Sequence, residues 1–109
     1  MADALPRRDG FLYLTTTGRA SGEPREIEIW YAERQGRYYL ISELRERAQW
    51  VRNLLREPRV GVAVGGRSVR ARARVLDEAA DAALLREVRA DFDRLYEWSD
   101  GLVVELSPD

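Results

Sequence analysis

From Leu14 to Arg25 the chain reads Leu-Thr-Thr-Thr-Gly-Arg-Ala-Ser-Gly-Glu-Pro-Arg, which gathers four hydroxyls, two glycines and two guanidiniums into one hairpin-sized stretch. Arginine offers a planar fork of donors to phosphate or carboxylate, and the N–H groups of a glycine-containing turn can form a nest for an anion. The chemistry this stretch suits is anion binding. No helix start follows the glycines, so it is neither a P-loop nor a Rossmann turn, both of which need a helix N-terminus behind them. The alternating segment Glu26-Ile27-Glu28-Ile29-Trp30-Tyr31 follows instead, so any anion site here stands on a β scaffold with two aromatic rings nearby. The plain alternative is a hairpin loop, for which Gly, Ser and Pro between strands suffice.

The absences narrow the chemistry further. The chain has no His and no Cys, which removes the commonest zinc ligands, the usual general base and the thiolate nucleophile. All 18 basic residues are Arg, so Schiff-base chemistry on Lys is excluded. An enzyme of this composition leaves its hard chemistry to a bound cofactor; no metal site is expected and no catalytic side chain stands out. Tyr13, Tyr31, Tyr38, Tyr39 and Tyr96 are the candidate proton donors, Tyr96 foremost, although a phenol with a pKa near 10 is a weak acid catalyst unless its surroundings tune it. The net charge of −1 gives no general field for nucleic acid or an anionic membrane. The stripe Arg70, Arg72 and Arg74, with Arg67, could follow phosphates. A solvated strand face paired with Glu26 and Glu28 fits the charge balance better, and no nucleic-acid partner is expected.

These residues need a frame. Phe11 to Thr17 reads as a strand, and Glu26 to Glu33 as a second, with Ile27, Ile29 and Tyr31 on one face and Glu26, Glu28 and Trp30 on the other. Arg34-Gln35-Gly36 turns into a third, Tyr38 to Ile41. Ser42 is expected to cap a helix from about Glu43 to Glu57, with Trp50, Val51, Leu54 and Leu55 as its apolar stripe and Pro58 as its stop. Val60 to Val64 and Arg67 to Leu76 form a hairpin about Gly65-Gly66. Asp77 is expected to cap a second helix that buries Leu84, Leu85, Val88, Phe92 and Leu95, and Leu102 to Leu106 is the last strand. The predicted order is β-β-β-α-β-β-α-β in a single domain over residues 1–109, mainly β with two helices. Its six short strands close into an antiparallel barrel that leaves no exposed edge. No apolar run approaches the length of a membrane span, and without Cys there is no disulfide framework, so a cytoplasmic location is expected.

Leu14 to Arg25 followed by Ile29-Trp30-Tyr31, then Trp50-x-x-Asn53-Leu54-Leu55-x-x-Pro58-x-Val60, then Val64-Gly65-Gly66-Arg67 and Arg70-Ala71-Arg72-Ala73, form an ordered set spanning roughly residues 12–77. In this the chain resembles the deazaflavin-dependent nitroreductase family. The resemblance implies a split β-barrel related to the FMN-binding pyridoxamine-phosphate-oxidase fold, and reduced deazaflavin coenzyme F-420 as hydride donor. It implies that Arg19, Ser21, Gly22 and Arg25 hold the coenzyme's phosphate and acidic tail, and that Ile41, Ser42 and Trp50 line the deazaflavin. Trp30 falls on the substrate side, and Phe92 and Tyr96 echo the family's C-terminal aromatic segment. The chain departs from the pattern at Ala20, where a basic residue is frequent, and at Glu23, which adds a carboxylate to the turn. Glu43 to Arg47 is also shorter and more charged than the family's loop before the helix.

The expectation is an oxidoreductase that binds reduced F-420 and delivers hydride to a small unsaturated or nitro-type acceptor, the protein supplying position and electrostatics. FMN in the same barrel is one alternative, because its shorter phosphate tail needs fewer anion contacts. A barrel that carries a cofactor or small ligand without turnover is another. A homodimer is expected as the working unit. A barrel this small needs help to bury a flavin-sized ligand, and Gly61, Ala63, Trp30 and Tyr38-Tyr39 are expected to leave part of its outer surface apolar.

Overall fold

A computed structural model describes residues 10–109. Its strands are β1 (Leu12–Thr17), β2 (Pro24–Ile29), β3 (Ala32–Arg34), β4 (Arg37–Ser42), β5 (Arg59–Val64), β6 (Arg67–Val75) and β7 (Leu102–Pro108); its helices are α1 (Gln49–Arg56) and α2 (Ala82–Tyr96), with a 3-10 turn at Arg45–Arg47. All seven strands belong to one antiparallel sheet in the order β2-β1-β5-β6-β7-β4-β3, curled into a half-barrel. The predicted class is correct, with seven strands in place of six and an open half-barrel with two edge strands in place of full closure. The difference lies in the segment read as one strand from Glu26 to Glu33, which divides into β2 and β3 on either side of Trp30-Tyr31. These halves form the two opposite edges of the sheet. One extended segment thus runs from edge to edge, and the two-residue step at Trp30-Tyr31 is the seam of the barrel.

The two tight hairpins follow local chemistry. Gln35-Gly36 and Gly65-Gly66 all have positive φ, the conformation that lets a two-residue turn match the twist of its flanking strands. Inside the curl, Leu12, Leu14, Leu40, Val62, Val104 and Leu106 form a core against which Ile27, Ile29 and Tyr31 pack, as their alternation predicts. The opposite face of β4 and β7 presents Tyr39, Ile41 and Val103 to α2, which buries Leu85, Val88 and Phe92. Burying a ring such as Phe92, 0% exposed, is worth roughly 2–3 kcal/mol. Because β7 is covered on both faces, its run Leu102–Leu106 is buried throughout.

Several boundaries differ from the sequence expectation. Ser42 does not cap a helix; it is the last residue of β4, paired with Leu102, and its hydroxyl donates to the Arg45 carbonyl. The 3-10 turn intervenes, and α1 starts after Ala48 without a side-chain cap. Asp77 caps the turn before α2, accepting from the N–H groups of Ala79 and Ala80. Leu55 and Leu95 were expected in buried stripes but stand 59% and 53% exposed, while Asn53 and Asp91 take buried places instead.

Candidate functional site

The turn between β1 and β2 is built on Gly18. Its N–H donates to the Glu23 carbonyl at 2.7 Å, its carbonyl accepts from Gly22 N–H at 2.7 Å, and Ser21 Oγ accepts from Glu23 N–H at 3.1 Å. A Cβ on Gly18 would lie 2.9 Å from Ser21 Oγ and 3.1 Å from the Glu23 carbonyl oxygen, so only glycine closes the turn without displacement. Arg19 N–H is used as well, donating to Asn53 Oδ1 at 3.2 Å. Four of the turn's N–H groups are therefore spent internally, and the cationic character of this corner comes from guanidiniums rather than a backbone nest.

Arg19 is gripped by α1. Its Nη1 donates to Asn53 Oδ1 at 2.8 Å and its Nη2 to Gln49 Oε1 at 2.6 Å. Arg25 donates from Nη2 to Ser21 Oγ at 3.4 Å. Among the described residues, no carboxylate lies within ion-pairing distance of either arginine. Both line a cavity of about 400 Å³ with Thr16, Ser21, Trp50 and Asn53.

A larger cavity of about 680 Å³ opens on the other side of Trp50. Trp30, Trp50 and Trp98, the three tryptophans of the chain, all line it, with Ile29, Ile41 and Phe92. Ser42, Glu43 and Leu44 close one side. Gln49 and Trp50 belong to the walls of both cavities, so the two adjoin along α1 as a two-part cleft, apolar and aromatic at one end and cationic at the other. Glu43 is the only titratable residue lining the larger part among those described.

Of the residues singled out by sequence, Arg19, Ser21 and Arg25 meet in the smaller cavity and Trp30, Ile41, Ser42 and Phe92 in the larger, with Trp50 between. Two lie outside the cleft. Gly22 lines a separate hollow of about 290 Å³ with Arg59 and Arg70. Tyr96 stands behind Trp30, with ring centroids 4.5 Å apart and planes 3° apart. Its hydroxyl donates to the Tyr31 carbonyl and accepts from the Tyr31 N–H. Burial pushes its phenol upward, the hydrogen bond to Tyr31 only partly opposing this. No tyrosine lines either part of the cleft among the described residues. Tyr13 and Tyr39 donate to Glu28 and Glu105. The hydroxyls of Tyr13, Tyr39 and Tyr96 are thus all engaged within the fold.

Sequence reasoning missed Gln49, Asn53, Glu43, Leu44 and Trp98. The signal for Asn53 was a lone amide in the apolar stripe of a helix; for Trp98 there was only an aromatic residue beyond the end of α2. The arginine stripe pairs differently from expectation: β2 and β6 are separated by β1 and β5, and Arg74 pairs instead with Glu105 of β7, at 3.2 Å, and Asp81, at 3.0 Å. Of the residues expected to leave the outer surface apolar, Gly61, Ala63, Trp30 and Tyr38-Tyr39, the structure buries Ala63, Tyr38 and Tyr39 and leaves Trp30 41% exposed.

No described helix is long and apolar enough to cross a membrane, and no described group of His, Cys, Asp or Glu could hold a metal ion. The fold is similar to that of an F420-H2 dependent reductase, FDR-A, with 20% identity, a TM-score of 0.70, and coverage of 95% of this chain and 100% of that one. It is also similar to a pyridoxamine 5'-phosphate oxidase homologue from Listeria innocua, at 12% identity, a TM-score of 0.71, and 92% and 84% coverage. A third solved structure, described as a domain-swapped dimer, shares 20% identity with a TM-score of 0.69 over 92% and 82% of the two chains. No curated protein matches significantly. The family model for F420H(2)-dependent quinone reductases matches residues 2–100, and with the split-barrel fold and the two-part cleft in place, the chain belongs to that family.

Proposed function

We propose that the chain is an F-420-dependent reductase whose cleft holds the coenzyme lengthwise, and that its acceptor is a small planar electron-poor molecule of the quinone type. The observation that carries this reading is the adjacency of two unlike cavities that share Gln49 and Trp50 as walls. A deazaflavin coenzyme is itself two-part, with a planar apolar ring and an anionic tail. The larger cavity lies in the size range of cofactor pockets, and its tryptophans suit a planar ring. Arg19 and Arg25, held by neutral oxygens, keep their charge for the tail. The FMN and carrier alternatives share the fold but have no family match.

When bound in reduced form, the coenzyme supplies a hydride. The chain supplies the rest by position. Arg19 and Arg25 bind the anionic end, Trp50 and Gln49 form the wall common to both parts, and Trp30, Phe92 and Trp98 exclude water from the ring end and orient the acceptor. The working unit is read as a homodimer. Trp30 and Leu44, 41% and 57% exposed, both line the larger cavity, and a second copy would cover them. Light scattering at micromolar concentration is expected to give the dimer mass; a monomer that persists with saturating coenzyme overturns that part.

The test of function is titration of the purified protein with oxidised F-420 and, separately, FMN, followed by coenzyme absorbance and tryptophan emission. All three tryptophans line the cleft, so binding of F-420 is expected to quench emission strongly. Reduced F-420 is then expected to be consumed on addition of a water-soluble naphthoquinone. Binding of FMN alone makes the protein a flavoprotein, and binding without turnover of any quinone makes it a carrier.

A further inference from the structure

We propose that Asn53 and Gln49 are positioning residues that fix the Arg19 guanidinium as an uncompensated cation, so that the oxyanion-binding strength of the cleft depends on both being amides rather than carboxylates. This rests on the reading of the cleft as the seat of an anionic ligand. Asn53 is 5% exposed. Its Oδ1 accepts from both the backbone N–H and Nη1 of Arg19, and its Nδ2 donates to Thr16 Oγ1 at 3.2 Å. Two donors facing one end of the amide determine which end is oxygen. Thr16 is 2% exposed, so the amide is held from the β1 side as well. Gln49 sits four residues earlier on α1, on the same helix face, and takes the other arm of the fork through Nη2.

The helix therefore grips one guanidinium with two carbonyl oxygens. Elsewhere in this chain arginines fixed against the fold take carboxylate partners: Arg34 is bound to Asp91 and Arg74 to Asp81 and Glu105. At Arg19 the acceptors are neutral. The side chain loses its freedom but keeps its full positive charge, and three of its five N–H donors remain for a ligand. The grip also ties the cationic turn to the helix carrying Trp50, so the two ends of the cleft are set by one rigid element.

Purified wild-type protein, Asn53→Asp, Asn53→Ala and Gln49→Glu are compared for thermal stability and for binding of oxidised F-420 and of inorganic pyrophosphate at two salt concentrations. Asn53→Asp is isosteric and retains an acceptor for Arg19, so it is expected to be at least as stable as Asn53→Ala. Affinity is expected to rank the opposite way, with Asn53→Asp at least tenfold weaker than wild type and weaker than Asn53→Ala. Its dependence on salt is expected to flatten. Gln49→Glu, at an exposed position, is expected to lose about fivefold with unchanged stability, and it carries the test if Asn53→Asp does not fold. A merely structural role predicts that affinity follows stability, with Asn53→Ala the poorest binder; that outcome overturns the proposal. Wild type that binds pyrophosphate but not F-420 overturns the coenzyme assignment alone, and wild type that binds neither overturns both.

Discussion

Trp30 lies flat against Tyr96, and the Tyr96 hydroxyl in turn holds both backbone polar groups of Tyr31. The pair stands at the seam where one extended segment passes from β2 at one edge of the sheet to β3 at the other. An aromatic wall of the cleft is therefore pinned by the side chain that satisfies the backbone of the strand break.

Two variants separate those roles. Tyr96→Phe keeps the stack and removes both hydrogen bonds, and is expected to cost about 1–2 kcal/mol in urea unfolding. Tyr96→Ala also removes the ring from between Trp30 and Phe92, and is expected to cost about 3 kcal/mol or more. Equal costs would show that the stack on Trp30 contributes nothing to stability.

Arg19→Ala and Arg25→Ala test the cationic end directly. Asn53 keeps its bond to the Arg19 backbone N–H in either variant, so the turn stays anchored. Each is expected to weaken F-420 binding by about 1–3 kcal/mol, the usual worth of a charge-assisted hydrogen bond. Unchanged affinity in both would reduce the turn to a plain hairpin.

The glycines of that turn are expected to behave differently. Gly18→Ala drives a Cβ against the Glu23 carbonyl and Ser21 Oγ, so it should lower both stability and coenzyme affinity by displacing Ser21 and Arg25. Gly22 has φ +77 and open space around it, so Gly22→Ala meets only the left-handed strain of about 1 kcal/mol. Since Gly22 lies outside the cleft, its affinity should stay at the wild-type value. Denaturation midpoints and titrations on both variants check this.

The uneven legibility of the sequence has physical causes. Strand existence and the apolar faces were readable because Ile27, Ile29 and Tyr31 obey a period of two. The same alternation hid the break at Trp30-Tyr31, because a strand changing sheet edges at a barrel seam keeps the same face inward. Ser42 looked like a helix cap because its side chain fits one; the pairing with Leu102 that claims it lies 60 residues away in sequence. The arginine pair at the turn could be read from residue type and spacing. Asn53, Gln49 and Trp98 could not, since their roles exist only once α1 and the segment after α2 are folded against the turn and the seam.

The pH dependence of stability follows from two sets of groups with opposite sign. Burial alone would push the Asp91 carboxyl up, but hydrogen bonds from Arg34 and Arg94 outweigh it and hold the group below its ordinary range. The Asp77 N–H and then Arg74 lower Asp81, and the Arg59 N–H and guanidinium lower Glu57. A carboxyl lowered on folding stabilises the fold above its unfolded pKa of about 4 and ceases to as pH falls through the folded value. Tyr39 acts at the other end. Burial, and then its hydrogen bond to Glu105, push its phenol up to about 12. A group raised on folding gives its full stabilisation below its unfolded pKa of about 10 and loses it as pH climbs to the folded one. Stability from these groups is therefore expected to be level between about pH 5 and 9, falling on both sides. Asp91→Asn should be less stable than wild type at neutral pH, because Arg34 and Arg94 lose their partner, and the gap should close below about pH 4. On the alkaline side, phenolate absorbance from Tyr39 should appear together with unfolding. A gap that stays constant into strong acid would show that the Asp91 charge is not what ties α2 to β3.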